Sequence, residues 1–271
     1  VTSVLIIAIC KYFGLSTEAS IIIGASLALS STAIVMKVIA DANSNSTQVG
    51  RLALANLLLQ DLAVVPLLVL VPILAQNSDN IALVLGMATL KASIALVVIF
   101  FLGRMLLRPL FDLIASTKSS ELFVTATLFV VLATSYATSA MGLSLAIGAF
   151  VAGLLVAETQ YQPQVEDSIM QFKGLLMGLF FMTVGMTIDL NLIYEQLALI
   201  IGLSFSLIVL KALIIIAITK LFGFSWGSSI HAGLLLAQGG EFAFIVFNLA
   251  SSGDIGLLDS GTSQILLTVV T

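Results

Sequence analysis

Asp61, preceded by Gln60, stands in the middle of the apolar run LANLLLQDLAVVPLLVLVPIL. A carboxylate at bilayer depth costs roughly 2.5–3.5 kcal/mol on insertion scales, so such a group is kept where it faces a polar cavity and binds something. A lone aspartate there holds a proton or a cation but not both, which makes it the smallest device for exchanging one for the other. Gln60 adds an amide oxygen for a dehydrated cation and an amide donor for a neighbouring carbonyl. With one carboxylate at the centre, the expected exchange is one monovalent cation for one proton, with no net charge moved.

Three more ionisable residues fall inside apolar runs: Lys91, Lys211 and Glu241. Asp61 and Lys211 sit near the centres of their runs, and Lys211 is expected either to pair with that opposite charge, which lowers the cost of burying both, or to take part in proton coupling. Glu241 follows Gln238, Gly239 and Gly240, where a broken helix would restart. The positive end of that half-helix favours an anion, so compensation of the helix dipole is its first expected role and ligation of the ion its second. Lys91 is expected to line an interface or to snorkel.

The elements that must hold these groups are membrane helices. Apolar residues make up 60% of the 271 residues and charged residues 9%, against about 25% charged in soluble domains. The runs lack the period-two alternation of barrel strands. About ten segments are expected, near 1–13, 20–40, 48–76, 81–108, 121–141, 143–158, 172–190, 196–222, 229–251 and from 262 onward, in one compact bundle. The chain starts at Val1 and ends within an apolar run, so it reads as a fragment truncated at both ends. Lys37, Arg51, Arg104, Arg108, Lys118, Lys173 and Lys220 fall in alternate connections, whereas those around Asp79, Met141, Asn191 and Asp254 carry no basic residue. Lys11 alone breaks the pattern. The positive-inside rule makes the basic set cytoplasmic.

Two segments have polar centres: Ser30-Ser31-Thr32 in the second and Gln238-Gly239-Gly240-Glu241 in the ninth. Segments one to three and eight to ten form two triplets of opposite direction, each with its interrupted helix in the middle. Paired interruptions of this kind mark the binding site of inverted-repeat transporters. Taken singly, either interruption also fits close helix packing by small residues.

On these residues the chain resembles the monovalent cation:proton antiporter-2 family, and within it the Kef-type potassium/proton antiporters. The motifs are LLLQDLAVVP, SLALSSTAIVMKVI, GLSLAIGAFVAGLLVAET, FKGLLMGLFFMTVGMTIDL and LLLAQGGEFAFIVF. The resemblance implies an all-α polytopic membrane protein with the sodium/proton-antiporter-like fold, in which two broken helices cross. It implies core helices at about 1–76 and 196–271, intervening helices at about 81–190, and an elevator-like movement of the core. Asp61 matches the ion- and proton-binding aspartate, and Gln60 stands at a Kef-type position beside it. Ser30, Ser31 and Thr32 match one helix break and Gln238 to Glu241 the other, while Lys211 matches a core lysine. A homodimer in a bacterial inner membrane or an organelle membrane is implied, in contact with lipid, with a nucleotide-binding regulatory domain or subunit beyond this stretch. Pro163 stands where glutathione-gated members carry a histidine, so glutathione gating is not expected.

Other classes are disfavoured. The scattered basic residues give no nucleic-acid footprint. No cofactor is expected beyond the transported ions. A potassium channel needs a filter of carbonyls, and TVGM at 183–186 only echoes one. An intramembrane enzyme needs a nucleophile–base pair or a metal cluster, and one histidine with one cysteine supplies neither.

Overall fold

The computed structural model describes residues 1–44, 46–75, 81–117, 119–141, 145–253 and 255–271. Asp79, Lys118 and Asp254 lie outside the described residues, as do the side chains of Lys91 and Lys173. Every regular element among the described residues is helical. The first unit, Val1–Ala75 with Thr187–Thr271, contains α1 (Thr2–Tyr12), α2 (Thr17–Ala28), α3 (Thr32–Asp41) and α4 (Gln48–Leu74). Its second part contains α9 (Leu190–Glu195), α10 (Leu197–Leu221), α11 (Trp226–Leu235), α12 (Phe242–Ser251) and α13 (Ser260–Val270). The second unit, Gln76–Met186, is built from α5 (Ile81–Ser116), α6 (Ser120–Ala140), α7 (Leu145–Ala157) and α8, which runs Gln162–Thr187.

Each expected segment meets a helix, or a pair of half-helices, within a few residues at most ends. Among the described residues four helices are long and apolar enough to cross a membrane: Thr17–Asp41 taken through its break, Gln48–Leu74, Glu121–Ala140 and Leu197–Leu221. The chain is a multi-pass integral membrane protein. Two boundaries differ from expectation. α5 continues eight residues past 108, and α8 starts at Gln162 rather than 172. α8 bends by 54° between Gln162–Met170 and Gly174–Met186. Hydropathy registers only its apolar second part, because the first turns are polar yet still helical.

Both expected interruptions are real breaks. α2 gives way to α3 through Leu29, whose extended backbone (ψ 146°) leaves the helical region. α11 gives way to α12 across residues 236–241. Serine and glycine explain the positions. Ser31 caps α3 by accepting a hydrogen bond from Ile34 N at 3.3 Å, an alternative to helix that serine offers readily. Gly239 and Gly240 lower the cost of the second break.

A second repeat lies in the turns before the broken helices. Lys11-Tyr12-Phe13-Gly14-Leu15-Ser16 and Lys220-Leu221-Phe222-Gly223-Phe224-Ser225 stand 209 positions apart. Both glycines take φ +84°, a left-handed conformation that glycine adopts without steric penalty. Both turns close with the same pair of bonds: Gly14 N to Lys11 O and Leu15 N to Cys10 O, Gly223 N to Lys220 O and Phe224 N to Thr219 O, all at 3.0–3.1 Å. These are Schellman turns. Each is followed by a serine cap, Ser16 for α2 and Ser225 for α11.

The same offset holds in the packing. A Cβ on Gly24 would lie 2.5 Å from Ile7 Cγ1 and 2.8 Å from Ser3 O. One on Gly233 would lie 2.5 Å from Ile216 Cγ1 and 2.9 Å from Ala212 O. The four neighbours are themselves 209 positions apart. Two copies of one helix–turn–broken-helix unit thus frame the site, as the paired interruptions led us to expect.

The second unit packs by similar close approaches. A side chain on Gly148 of α7 would strike the Thr138 hydroxyl and the Ser135 backbone of α6. Phe111, Phe123 and Tyr161 stack with ring centroids 5.3–5.9 Å apart. Arg104 pairs with Glu158 at 3.3 Å.

Two outcomes follow from this packing. Gly24→Ala and Gly233→Ala should each destabilise the protein, by about 1–3 kcal/mol for an overpacked contact, and by similar amounts because their surroundings match; thermal unfolding in detergent reads both. Asp259 caps α13 by accepting from Thr262 N at 2.9 Å, and hydrogen bonds from the Thr262 side chain and then from its backbone hold the carboxyl below the usual carboxylate range. Its stabilisation is present above the ordinary carboxylate value and is lost as pH falls through the lowered one. Asp259→Asn should therefore flatten the acid limb of a stability-versus-pH curve.

Candidate ion site at the crossing of two broken helices

Breaking two helices at membrane depth strands backbone groups. The ends of α2 and α11 present carbonyls without helical partners, and the starts of α3 and α12 present free N–H groups. Hydrocarbon offers them nothing, so protein must.

Lys211 of α10 supplies most of the answer. It is 1% exposed. Its Nζ donates to Leu29 O at 2.7 Å and to Gln238 O at 2.8 Å, one carbonyl from each break. Those two residues are again 209 positions apart. A cation beside two half-helix C-termini also meets their partial negative charge. Pairing with Asp61, expected from sequence, does not occur. The ion pair found among the described residues is Arg104–Glu158. The physical reason is that a buried ammonium has three donors to place, and the broken ends offer carbonyls within reach.

Gln60 pins the first break. Its Oε1 accepts from Ser30 N at 2.8 Å, and its Nε2 lies 3.5 Å from Ala28 O. The donor role expected of the amide is seen here, while the oxygen expected to face a cation is engaged by the backbone. Ser30 joins the two breaks directly, with its Oγ donating to Leu236 O at 2.7 Å. A Cβ on Gly240 would lie 3.1 Å from Ser30 O, so glycine permits this close approach.

Asp61, half-buried one residue after Gln60, faces the start of α3. The Thr32 hydroxyl lies 3.1 Å from Oδ1 and 3.2 Å from Oδ2. Glu241, the first residue before α12, is close enough for its charge to act on Asp61. A cavity of about 440 Å³ runs between α4 and α10, with Asn56, Gln60, Lys211 and Thr219 in its polar wall. It lies in the half of these helices that carries Arg51 and Lys220. Asp61 is not in that wall.

The structure thus brings together Ser30, Ser31, Thr32, Gln60, Asp61, Lys211, Gln238, Gly240 and Glu241. Gly239 packs instead against Val270 of α13. Sequence reasoning did not single out Asn56, although its spacing of four from Gln60 puts both on one helix face. It also gave no role to Asp189, which caps α9 and whose N–H donates to Gln264 Oε1 at 2.9 Å.

The description "sodium/hydrogen exchanger, transmembrane" matches the whole of residues 1–271. The chain belongs to that exchanger family. K(+) efflux antiporter 1, chloroplastic, of Arabidopsis thaliana is 46% identical over 264 residues, 95% of this chain and 22% of its own length. K(+) efflux antiporter 3, chloroplastic, of the same plant is 41% identical over 258 residues, 94% of this chain and 33% of its own. The putative K(+) efflux antiporter KefB of Alkalimonas amylolytica is 36% identical over 270 residues, 99% and 40% respectively. The exchanger chain therefore spans well under half the length of these relatives.

Within the exchanger, Lys211→Met would leave Leu29 O and Gln238 O without their donor. An unmet buried acceptor costs about 1–3 kcal/mol, so the variant should unfold at a lower temperature in detergent. Because Asp61 is not the lysine's hydrogen-bond partner, Asp61→Asn should not restore the loss.

Proposed function

We propose that the chain is the translocating part of a cation/proton antiporter, with potassium the favoured cation, and that Asp61 is the group at which the two ions exchange. The observation that carries this reading is the state of the intramembrane charges. The lysine of the crossing is spent on backbone carbonyls, so among the described residues the Asp61 carboxylate has one threonine hydroxyl and no cationic side chain. A cation or a proton completes it, and each excludes the other. The cavity reaching Gln60 and Lys211 supports an approach from the side carrying Arg51 and Lys220, cytoplasmic by the positive-inside rule.

Alternating access then moves the charge-bearing crossing rather than the ion alone. The first unit is the moving core and the second its support, with a homodimer as the working assembly. Potassium is supported by the names of the relatives, all K(+) efflux antiporters. Sodium is the second reading, favoured by the family's description. The greater length of the relatives supports regulatory segments beyond this stretch. A bacterial or organelle membrane fits relatives from a bacterium-type Kef protein and from chloroplasts.

Proteoliposomes of the full-length protein with a trapped pH dye test the reading. External potassium should alkalinise the lumen, and Asp61→Asn should abolish the response, by at least a hundredfold in rate, while leaving the unfolding temperature nearly unchanged. Alkalinisation by sodium alone assigns the other cation. Full exchange in Asp61→Asn refutes the site.

A further inference from the structure

Glu241 is the carboxylate of the crossing that the bonds described above leave unused. Its Oε2 is buried and has no hydrogen-bond partner. Gln238 Nε2, in the same interruption, is also buried and unpartnered. Buried polar atoms in this condition are rare and costly. A capping role, the first expectation from sequence, would satisfy the oxygen through the free N–H groups of α12. Glu241 does occupy the N-cap position of α12, but its side chain makes no cap hydrogen bond. Pairing with Lys211 would satisfy it too, and no ion pair joins them among the described residues.

The repeat fixes where this oxygen stands. Glu241 lies 209 positions after Thr32, the residue whose hydroxyl touches Asp61. The two breaks are in contact through Gly240 and Ser30, immediately before Glu241 and two residues before Thr32. One broken helix thus offers a hydroxyl to the Asp61 side of the crossing, and the other offers a carboxylate from the equivalent position. Gln60 does not fill the ligand shell in this arrangement, because its amide oxygen accepts from Ser30 N.

We infer that Glu241 is the second ligand of the transported cation, which is held between the Asp61 carboxylate with its Thr32 hydroxyl and the free Glu241 oxygen. This inference rests on the reading of Asp61 as the exchange site. It transfers the second ligand from α4 to the start of α12, so that the ion is bound by both repeats at once. The orphaned Gln238 amide and the N-terminal end of α12 moderate the negative charge that two carboxylates place there.

The test is potassium-driven proton flux by the full-length protein in proteoliposomes at one fixed pH, comparing Glu241→Gln, Glu241→Asp and Asp61→Asn with the parent. A ligand role predicts that Glu241→Gln raises KM for potassium at least tenfold with a much smaller fall in kcat. Glu241→Asp, which keeps the charge but withdraws it by one methylene, should raise KM by less and change the potassium-to-sodium preference. Parent KM and parent ion preference in both variants overturn the inference while leaving exchange at Asp61 intact. If Glu241→Gln does not fold, Glu241→Asp decides by the same criterion. Exchange that survives in Asp61→Asn overturns the underlying reading, and the ligand assignment with it.

Discussion

Hydrocarbon offers no hydrogen bond to a broken helix. Each interruption in this protein exposes carbonyls at one half-helix end and N–H groups at the next, and every side chain at the crossing can be understood by which of these it serves. Lys211 takes one carbonyl from each break. Gln60 takes the Ser30 N–H. Ser30 bridges to Leu236 O, and Ser31 caps α3. Asp61 and Glu241 are what remains once the backbone has been satisfied, and neither carboxylate has a protein counter-ion among the described residues. The site is therefore defined by subtraction.

This division of labour is laid over a duplicated frame. The two Schellman turns, the serine caps and the paired glycines against isoleucines agree residue by residue at one offset. The chemistry does not repeat. Lys211 corresponds to Thr2 and Glu241 to Thr32. A symmetric scaffold carrying asymmetric side chains gives one site at the centre instead of two, with groups from each copy facing the same point.

Much of the fold was legible from hydropathy and turn chemistry. The spans, the two breaks and the grouping into triplets all follow from which residues avoid water and which abandon a helix. Self-comparison of the sequence would also have exposed the Lys-x-Phe-Gly-x-Ser turns, which composition alone hides. What the sequence did not disclose was the choice of partners. Lys211 and Asp61 were expected to pair because charge is the only interaction a linear reading can score at that depth. The competing acceptors are main-chain oxygens, present at every residue and distinguished only by being left over at a break. Gln60 was given a cation for the same reason, since nothing in its neighbours announces that Ser30 N–H would claim its oxygen. The polar first turns of α8 were missed because a helix without an apolar stripe leaves no periodic signal.

Lys211 has a mechanical consequence. Its ammonium grips one carbonyl from each broken helix, so any displacement that separates the two breaks must rupture one of those bonds in a medium with no substitute donor. A displacement that carries both breaks and α10 together ruptures neither. The lysine thus acts as a rivet through the crossing: it ties the two breaks and α10 together and makes shear between them stiff.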